Sequence, residues 1–193
     1  RGFIWSKRKE TRPATSDRDV TFANKLGELL KQKYPGKDYR VLMLSYGHSR
    51  PTPDKARPAD NVIMSIVANF FGRTGFVDRG STRGDTIREQ YEGWAKIVPT
   101  MFWRPNTGSP AGWQQGLPDL HVAQTIRDFK DVAAANCAGI YIDSVWEHWA
   151  TQGPLYYIMA QLAWNPAADA EAILSDYYAR AFGPAGPHVR EYF

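Results

Sequence analysis

The sequence predicts an α/β protein built as the C-terminal half of a (β/α)8 TIM-type barrel: about four mainly parallel strands with covering helices. Three observations carry this expectation. Short apolar runs take turns with stretches whose apolar residues recur at helical spacing, an order that favours a parallel sheet. The apolar runs are nearly continuous, which is how strands covered on both faces read. The chain has 193 residues, short of the roughly 250 of a whole eightfold barrel, so the barrel reading makes it a fragment of a larger protein or one part of an assembly.

The first helix is expected from Ser16, where Ser16 and Asp19 have capping-box-like spacing and Val20, Ala23, Leu26, Leu29 and Leu30 follow at helical intervals. Tyr34-Pro35-Gly36 ends it. Arg40 to Tyr46 is the first strand, and a loop punctuated by Pro51, Pro53 and Pro58 leads to a second strand over Asn61 to Asn69. Ile87, Tyr91, Trp94 and Ala95 mark a helix between Gly84 and Ile97, and Val98 to Trp103 reads as the third strand. After a Gly- and Pro-rich loop, Asp119 is the expected N-cap of a helix with Val122, Ile126, Phe129, Val132 and Ala133 on its inner stripe, and Asn136 is its stop. Ala138 to Ile142 supplies the fourth strand. Pro154 is placed where a helix starts, Asn165-Pro166 ends that helix, and a last one is expected from Asp169 to Phe182, closed by Gly183-Pro184. The expected organisation is a basic arm (1–15), the half barrel (16–166) and a post-barrel helical segment (167–193). A flavodoxin-like open sheet is the structural alternative. It calls for a glycine-rich phosphate loop after the first strand, and Tyr46-Gly47-His48-Ser49-Arg50-Pro51 is not one.

Composition sets aside several classes of function. No apolar run approaches the roughly 20 residues needed to span a bilayer. The single Cys137 excludes an internal disulfide and a multi-cysteine zinc site; among the Ala133–Ala138 residues it reads as a small buried thiol. A net charge of +4, part of it in Arg1, Lys7, Arg8, Lys9, Arg12 and Arg18, suits an anionic partner. No nucleic-acid-binding module accompanies those charges, so nucleic acid is disfavoured. Seven tryptophans are the more suggestive feature, because aromatic faces pack on sugar C–H surfaces as well as in barrel cores.

In parallel α/β folds ligands meet the loops at the C-terminal ends of the strands. That rule selects Tyr46 and His48 after the first strand, Asn69 after the second, Trp103 and Arg104 after the third, and Asp143, Trp146, Glu147, His148 and Trp149 after the fourth. The fourth loop is the richest. Asp143 and Glu147 are the candidate catalytic carboxyls for glycoside hydrolysis, which needs them about 5–5.5 Å apart for retention or 6.5–9.5 Å for inversion. Four residues of strand would separate them by roughly 13 Å, so they cooperate only if the chain turns after Asp143; otherwise both bind sugar hydroxyls, with a further carboxylate from the rest of the barrel, or Asp143 caps the strand end. Trp146 and Trp149 suit stacking on a sugar ring or packing under the final helices. Arg104 suits a carboxylate, on a sugar or on the protein. One His beside two acids lacks a recognised metal spacing, so neither metal nor cofactor is expected. No Gly-x-Ser-x-Gly turn occurs.

Several stretches taken together resemble the bacterial family designated domain of unknown function 4838, which is similar to the α-glucuronidase and hexosaminidase class of (β/α)8-barrel glycoside hydrolases. They are Ser16-Asp17-Arg18 leading into Phe22-Ala23-Asn24, the strand ending Ser45-Tyr46, Gly139 to Asp143 continuing through Trp149-Ala150-Thr151-Gln152-Gly153, and Leu162 to Pro166 with Tyr177-Tyr178 and Phe182-Gly183. The resemblance implies O-glycosyl hydrolysis of a poly- or oligosaccharide, no obligatory cofactor, and a secreted or periplasmic location. The resemblance implies a preceding first half of the barrel, and the half-barrel reading itself calls for the remainder of the barrel or a second copy of the chain as partner. The alternative is a non-catalytic carbohydrate-binding or structural barrel fragment.

Overall fold

The structure, a computed structural model, describes residues 14–67, 82–105, 121–142 and 149–193. Its centre is a four-stranded, wholly parallel sheet of β1 (Val41–Ser45), β2 (Val62–Ile66), β3 (Thr100–Trp103) and β4 (Cys137–Ile140) in the order β1-β2-β3-β4. Each strand lies beside the one before it. The reversal of strand order that marks a doubly wound sheet is not seen among the described strands.

Side-chain parity divides the sheet into two unlike faces. Met64 and Ile66 of β2 and Met101 and Trp103 of β3 are buried beneath the helices. There they meet Val20 of α1 (Ser16–Lys33), Tyr91 and Trp94 of α2 (Thr82–Ala95), Phe129 of α3 (Val122–Ala133) and Leu155 and Ile158 of α4 (Trp149–Trp164) in one cluster. The opposite face carries Leu42, Leu44, Ile63, Ser65, Thr100 and Phe102. Its middle is buried at Ser65, but Leu42 at the β1 edge is 61% exposed. β4 has a bulge: Cys137 pairs with Met101 while Gly139 pairs with Phe102, leaving Ala138 as an extra residue. Beyond it Ile140 and Ile142 pack against the core, whereas Tyr141 is 57% exposed on the opposite face. A Cβ on Gly139 would stand 3.3 Å from the Phe102 ring, so the glycine makes room for that ring.

Local signals act much as expected, with four departures. Ser16 is the first residue of α1, and its hydroxyl donates to the Pro51 carbonyl; the bond across the first turn runs instead from Thr15 Oγ1 to Asp19 (2.7 Å). α3 starts after His121, and Asp119 lies outside the described residues. α4 begins five residues before Pro154, which sits inside the helix. Proline in a second turn forfeits one backbone hydrogen bond, and the burial of Gln152, Pro154, Leu155 and Tyr156 between neighbouring helices holds the turn regardless. Cys137 is half-buried, its Sγ 3.0 Å from the Gly139 carbonyl.

α5 (Ala170–Phe182) packs on α4, and α6 (Gly186–Tyr192) on α5. Asp169 caps α5 through the amides of Glu171 and Ala172. Tyr157 of α4 donates to Asp176 of α5 at 2.7 Å, tying the two helices, and Arg180 donates to the same carboxylate at 2.6 Å from within α5.

Candidate functional site

The strand ladders run one residue past the strand ends. Val67 N–H donates to Ser45 (3.2 Å), Arg104 N–H to Ile66 (2.8 Å) and Tyr141 N–H to Trp103 (2.9 Å). These bonds bring Tyr46, Val67, Arg104 and Tyr141 into one row across the C-terminal ends of the strands, on the face away from the helices. Lower rows on that face are apolar apart from Thr100 and Ser65: Leu42, Ile63 and Thr100, then Leu44, Ser65, Phe102 and Gly139. The top row is different. It carries two phenols and a guanidinium, and the Arg104 guanidinium carbon lies 5.4 Å from the centroid of the Tyr141 ring, a cation–π contact of about 0.5–1 kcal/mol at a site open to solvent.

The β1 side of this mouth is a rigid corner. Gly47, at φ +57°, lets the chain leave β1 directly into a single 3-10 turn at Gly47–Ser49. Ser49 Oγ accepts from Tyr46 N–H (3.2 Å) and lies within reach of the Leu44 and Tyr46 carbonyls. The His48 carbonyl accepts from Thr15 N–H (3.0 Å), which leaves its imidazole on the exposed tip. The loop beyond is pinned by α1: the Asp17 carboxylate accepts from the amides of Asp54 (3.0 Å), Lys55 (2.8 Å) and Ala56 (2.6 Å). Those bonds, Ala56's first, hold the Asp17 carboxyl below the usual carboxylate range. Asn24 grips the same loop through Ala59 N–H and the Arg57 carbonyl, both at 2.8 Å. Trp94 Nε1 donates to the Arg50 carbonyl (2.8 Å) from below.

Of the residues selected from sequence, Tyr46, His48 and Arg104 stand at the mouth. Trp149 opens α4, 60% exposed and edge-on to Tyr156 with ring centroids 4.9 Å apart. Trp103 stands elsewhere: it is 1% exposed in the helix-side core, edge-on to Phe129 at 5.1 Å. Asn69, Asp143, Trp146, Glu147 and His148 lie outside the described residues. Tyr141, not selected from sequence, joins Arg104. Among the described residues no group of three His, Cys, Asp or Glu is placed to hold a metal, and no helix is long and apolar enough to cross a membrane. Among the described residues two shallow grooves lie away from the mouth, one between α1 and the start of β1, the other along β4.

A family model described as Domain of unknown function (DUF4838) matches residues 5–193. No curated protein and no solved structure matches the chain.

Proposed function

The chain belongs to the DUF4838 family, and from that premise we propose that it forms half of a (β/α)8-barrel glycoside hydrolase acting on poly- or oligosaccharide in a secreted or periplasmic setting. The observation that carries this reading is the change of chemistry along the face away from the described helices, from rows of uncharged side chains (Leu42, Ile63 and Thr100, then Leu44, Ser65, Phe102 and Gly139) to Tyr46, Arg104 and Tyr141 at the strand ends. Sequential parallel strands with helices on one side support the half barrel, and a barrel places its ligand at that end. Tyrosine faces offer sugar C–H surfaces a stacking partner, and their hydroxyls and the guanidinium offer hydrogen bonds to ring hydroxyls or a carboxylate.

The carboxyls assigned to bond cleavage, Asp143 and Glu147, fall in the sequence between Ile142, which follows β4, and Trp149, where α4 begins. This chain supplies substrate-binding loops and one of these carboxyls, which protonates the glycosidic oxygen, activates water or attacks the anomeric carbon, and the complementary carboxyl comes from the rest of the barrel or, where the chain turns after Asp143, from the other of the two. No cofactor enters this chemistry. Hydrolysis of aryl glycosides and uronic-acid oligosaccharides by the assembled barrel tests the reading. Asp143→Asn and Glu147→Gln are each expected to lower kcat by about 10²–10⁴-fold, and Arg104→Ala to raise KM for the uronic-acid substrate with less change for neutral sugars. Unchanged turnover in both carboxamide variants removes the catalytic assignment. Sugar binding without turnover in the wild type favours the second reading, a carbohydrate-binding barrel fragment, which the binding-type side chains Tyr46, His48, Arg104 and Tyr141 also suit.

A further inference from the structure

α1 has two apolar faces, and the described strands cover one of them. Val20, Ala23 and Gly27 are buried on the sheet. Phe22, Leu26 and Leu29, roughly a third of a turn round the helix at 3.6 residues per turn, are exposed. A groove of about 420 Å³ separates this second face, at Leu26, Leu29 and Leu30, from Arg40 and Val41 at the start of β1, and no residue of β2 lines it. The bare face therefore overhangs the outer edge of β1, along which no described strand lies. Val41 N–H donates to the Asn61 carbonyl (2.9 Å) and the Ser45 carbonyl accepts from Val67 N–H (3.2 Å). The odd-numbered residues of β1 thus bond to β2, and the amides of Leu42 and Leu44 point outward, beside side chains that are 61% and 46% exposed.

We propose that this edge is taken by residues 2–6 of the same chain, Gly2-Phe3-Ile4-Trp5-Ser6, as a further parallel strand beneath the bare flank of α1. Three observations select this occupant. The first is order. α2 immediately precedes β3 and α3 immediately precedes β4, and each of these helices follows the strand with which β3 or β4 pairs. α1 stands in the same relation to β1, so the same strand-helix-strand unit calls for a strand ahead of α1 on the open side of β1. The second is position. Thr15 N–H donates to the His48 carbonyl (3.0 Å), which fixes the entry to α1 at the C-terminal end of β1, where a parallel neighbour must also finish. The nine residues from Ser6 to Thr15 reach up to about 30 Å, well beyond the about 4.8 Å between strands. The stretches that follow β2, β3 and β4 outside the described residues lead instead into α2, α3 and α4. The third is composition. Five residues match the length of β1, and alternation puts Phe3 and Trp5 on one face and Ile4 on the other. Such a strand is apolar toward both the α1 flank and the face of Leu42 and Leu44. Lys7, Arg8, Lys9 and Arg12 then fall in the connection at the ligand end, and charge that reads as an arm in the sequence joins the mouth with His48 and Arg104. The inference rests on sheet geometry and stands apart from the assigned reaction.

Nuclear Overhauser contacts in the wild-type 193-residue chain are the test. Contacts of residues 3–5 with the amides of Leu42 and Leu44 are expected, in the spacing of a parallel pair. Amide exchange supplies the second reading. The added strand is itself an edge and frays, so Leu42 and Leu44 still exchange faster than β2 and β3. Removing residues 1–6 is expected to speed their exchange by a further roughly tenfold, the effect of losing a hydrogen bond, with β2 and β3 unchanged. If the shortened chain does not fold, the contacts in the wild type decide alone. Absence of those contacts, or exchange at Leu42 and Leu44 that the removal leaves as it was, overturns the proposal. So does protection that vanishes on dilution of a chain found dimeric by light scattering, the mark of a second copy on this edge.

Discussion

At single residues the fold depends on close fits that leave little room for substitution. Gly27 of α1 lies against the second strand: an added Cβ would stand 2.6 Å from Asn61 Oδ1, and the same Asn61 donates to the Gly27 carbonyl at 3.0 Å. Gly27→Ala is therefore expected to destabilise by about 1–3 kcal/mol, as overpacking does, measured by urea denaturation; a neutral result would mean that α1 shifts without cost. Asp17 gives a pH signature. Its carboxyl is held low in the folded state by the Ala56, Lys55 and Asp54 amides, so its contribution is complete above the unfolded value of about 3.9 and is lost as pH falls through the lower folded one. Asp17→Asn is expected to melt below the wild type at pH 7, with the two melting temperatures converging below about pH 4. A gap that stays constant down to pH 2 would assign the effect to packing. Which residues reach the mouth was partly legible by parity. Met101 and Trp103 are two apart and share the buried face, so Arg104 alone belongs to the open one; grouping Trp103 with Arg104 as residues after the strand overlooked the alternation of a strand.

Between elements, a few polar side chains fix where the helices dock. The Tyr91 hydroxyl of α2 lies within hydrogen-bond reach of the carbonyls of Val132 (3.3 Å) and Ala135 (3.2 Å) at the end of α3, and burial raises its phenol far above the ordinary value, so its one proton serves as a neutral donor to them. Asn136 turns the chain from α3 into β4 with φ +54° and donates to Ala95 (3.0 Å) and Val98 (3.1 Å) across the α2–β3 connection. Asn136→Ala is expected to cost about 1–3 kcal/mol, from the left-handed backbone and two carbonyls left without a donor; Asn136→Gly should recover only the backbone share. Chemical denaturation of the pair separates the two. The stop at Asn136 was legible because Asn is one of the few residues that tolerates that backbone, and the stop at Gly36 for the same reason. The start of α4 was not. That helix is apolar all round, packed between α3 and α5, so no amphipathic stripe marks its first turn, and Pro154 offered a false start.

For the whole molecule, the strand order and the single-sided helices follow from connections that each return to the next strand. The parallel sheet could be read from the near-continuous apolar runs of β1 and β2, while the bareness of Leu42 and Leu44 could not, because a bare leucine and a covered one have the same hydropathy. Amide exchange should rank the strands accordingly: β2 and β3, bonded on both sides, slowest, and the outer-edge amides of β1 and β4 faster. Equal protection of all four strands would show that the outer edges are covered.

The extra residue at Ala138 bears on how this mouth can change. Had β4 kept straight register from Cys137, Ile140 would stand beside Arg104 and Tyr141 would turn into the helix layer. A slide of one residue thus exchanges an aromatic wall for an aliphatic one while every amino acid keeps its identity. Aligning two such chains letter by letter would record no difference, although one offers a ring to its ligand and the other does not.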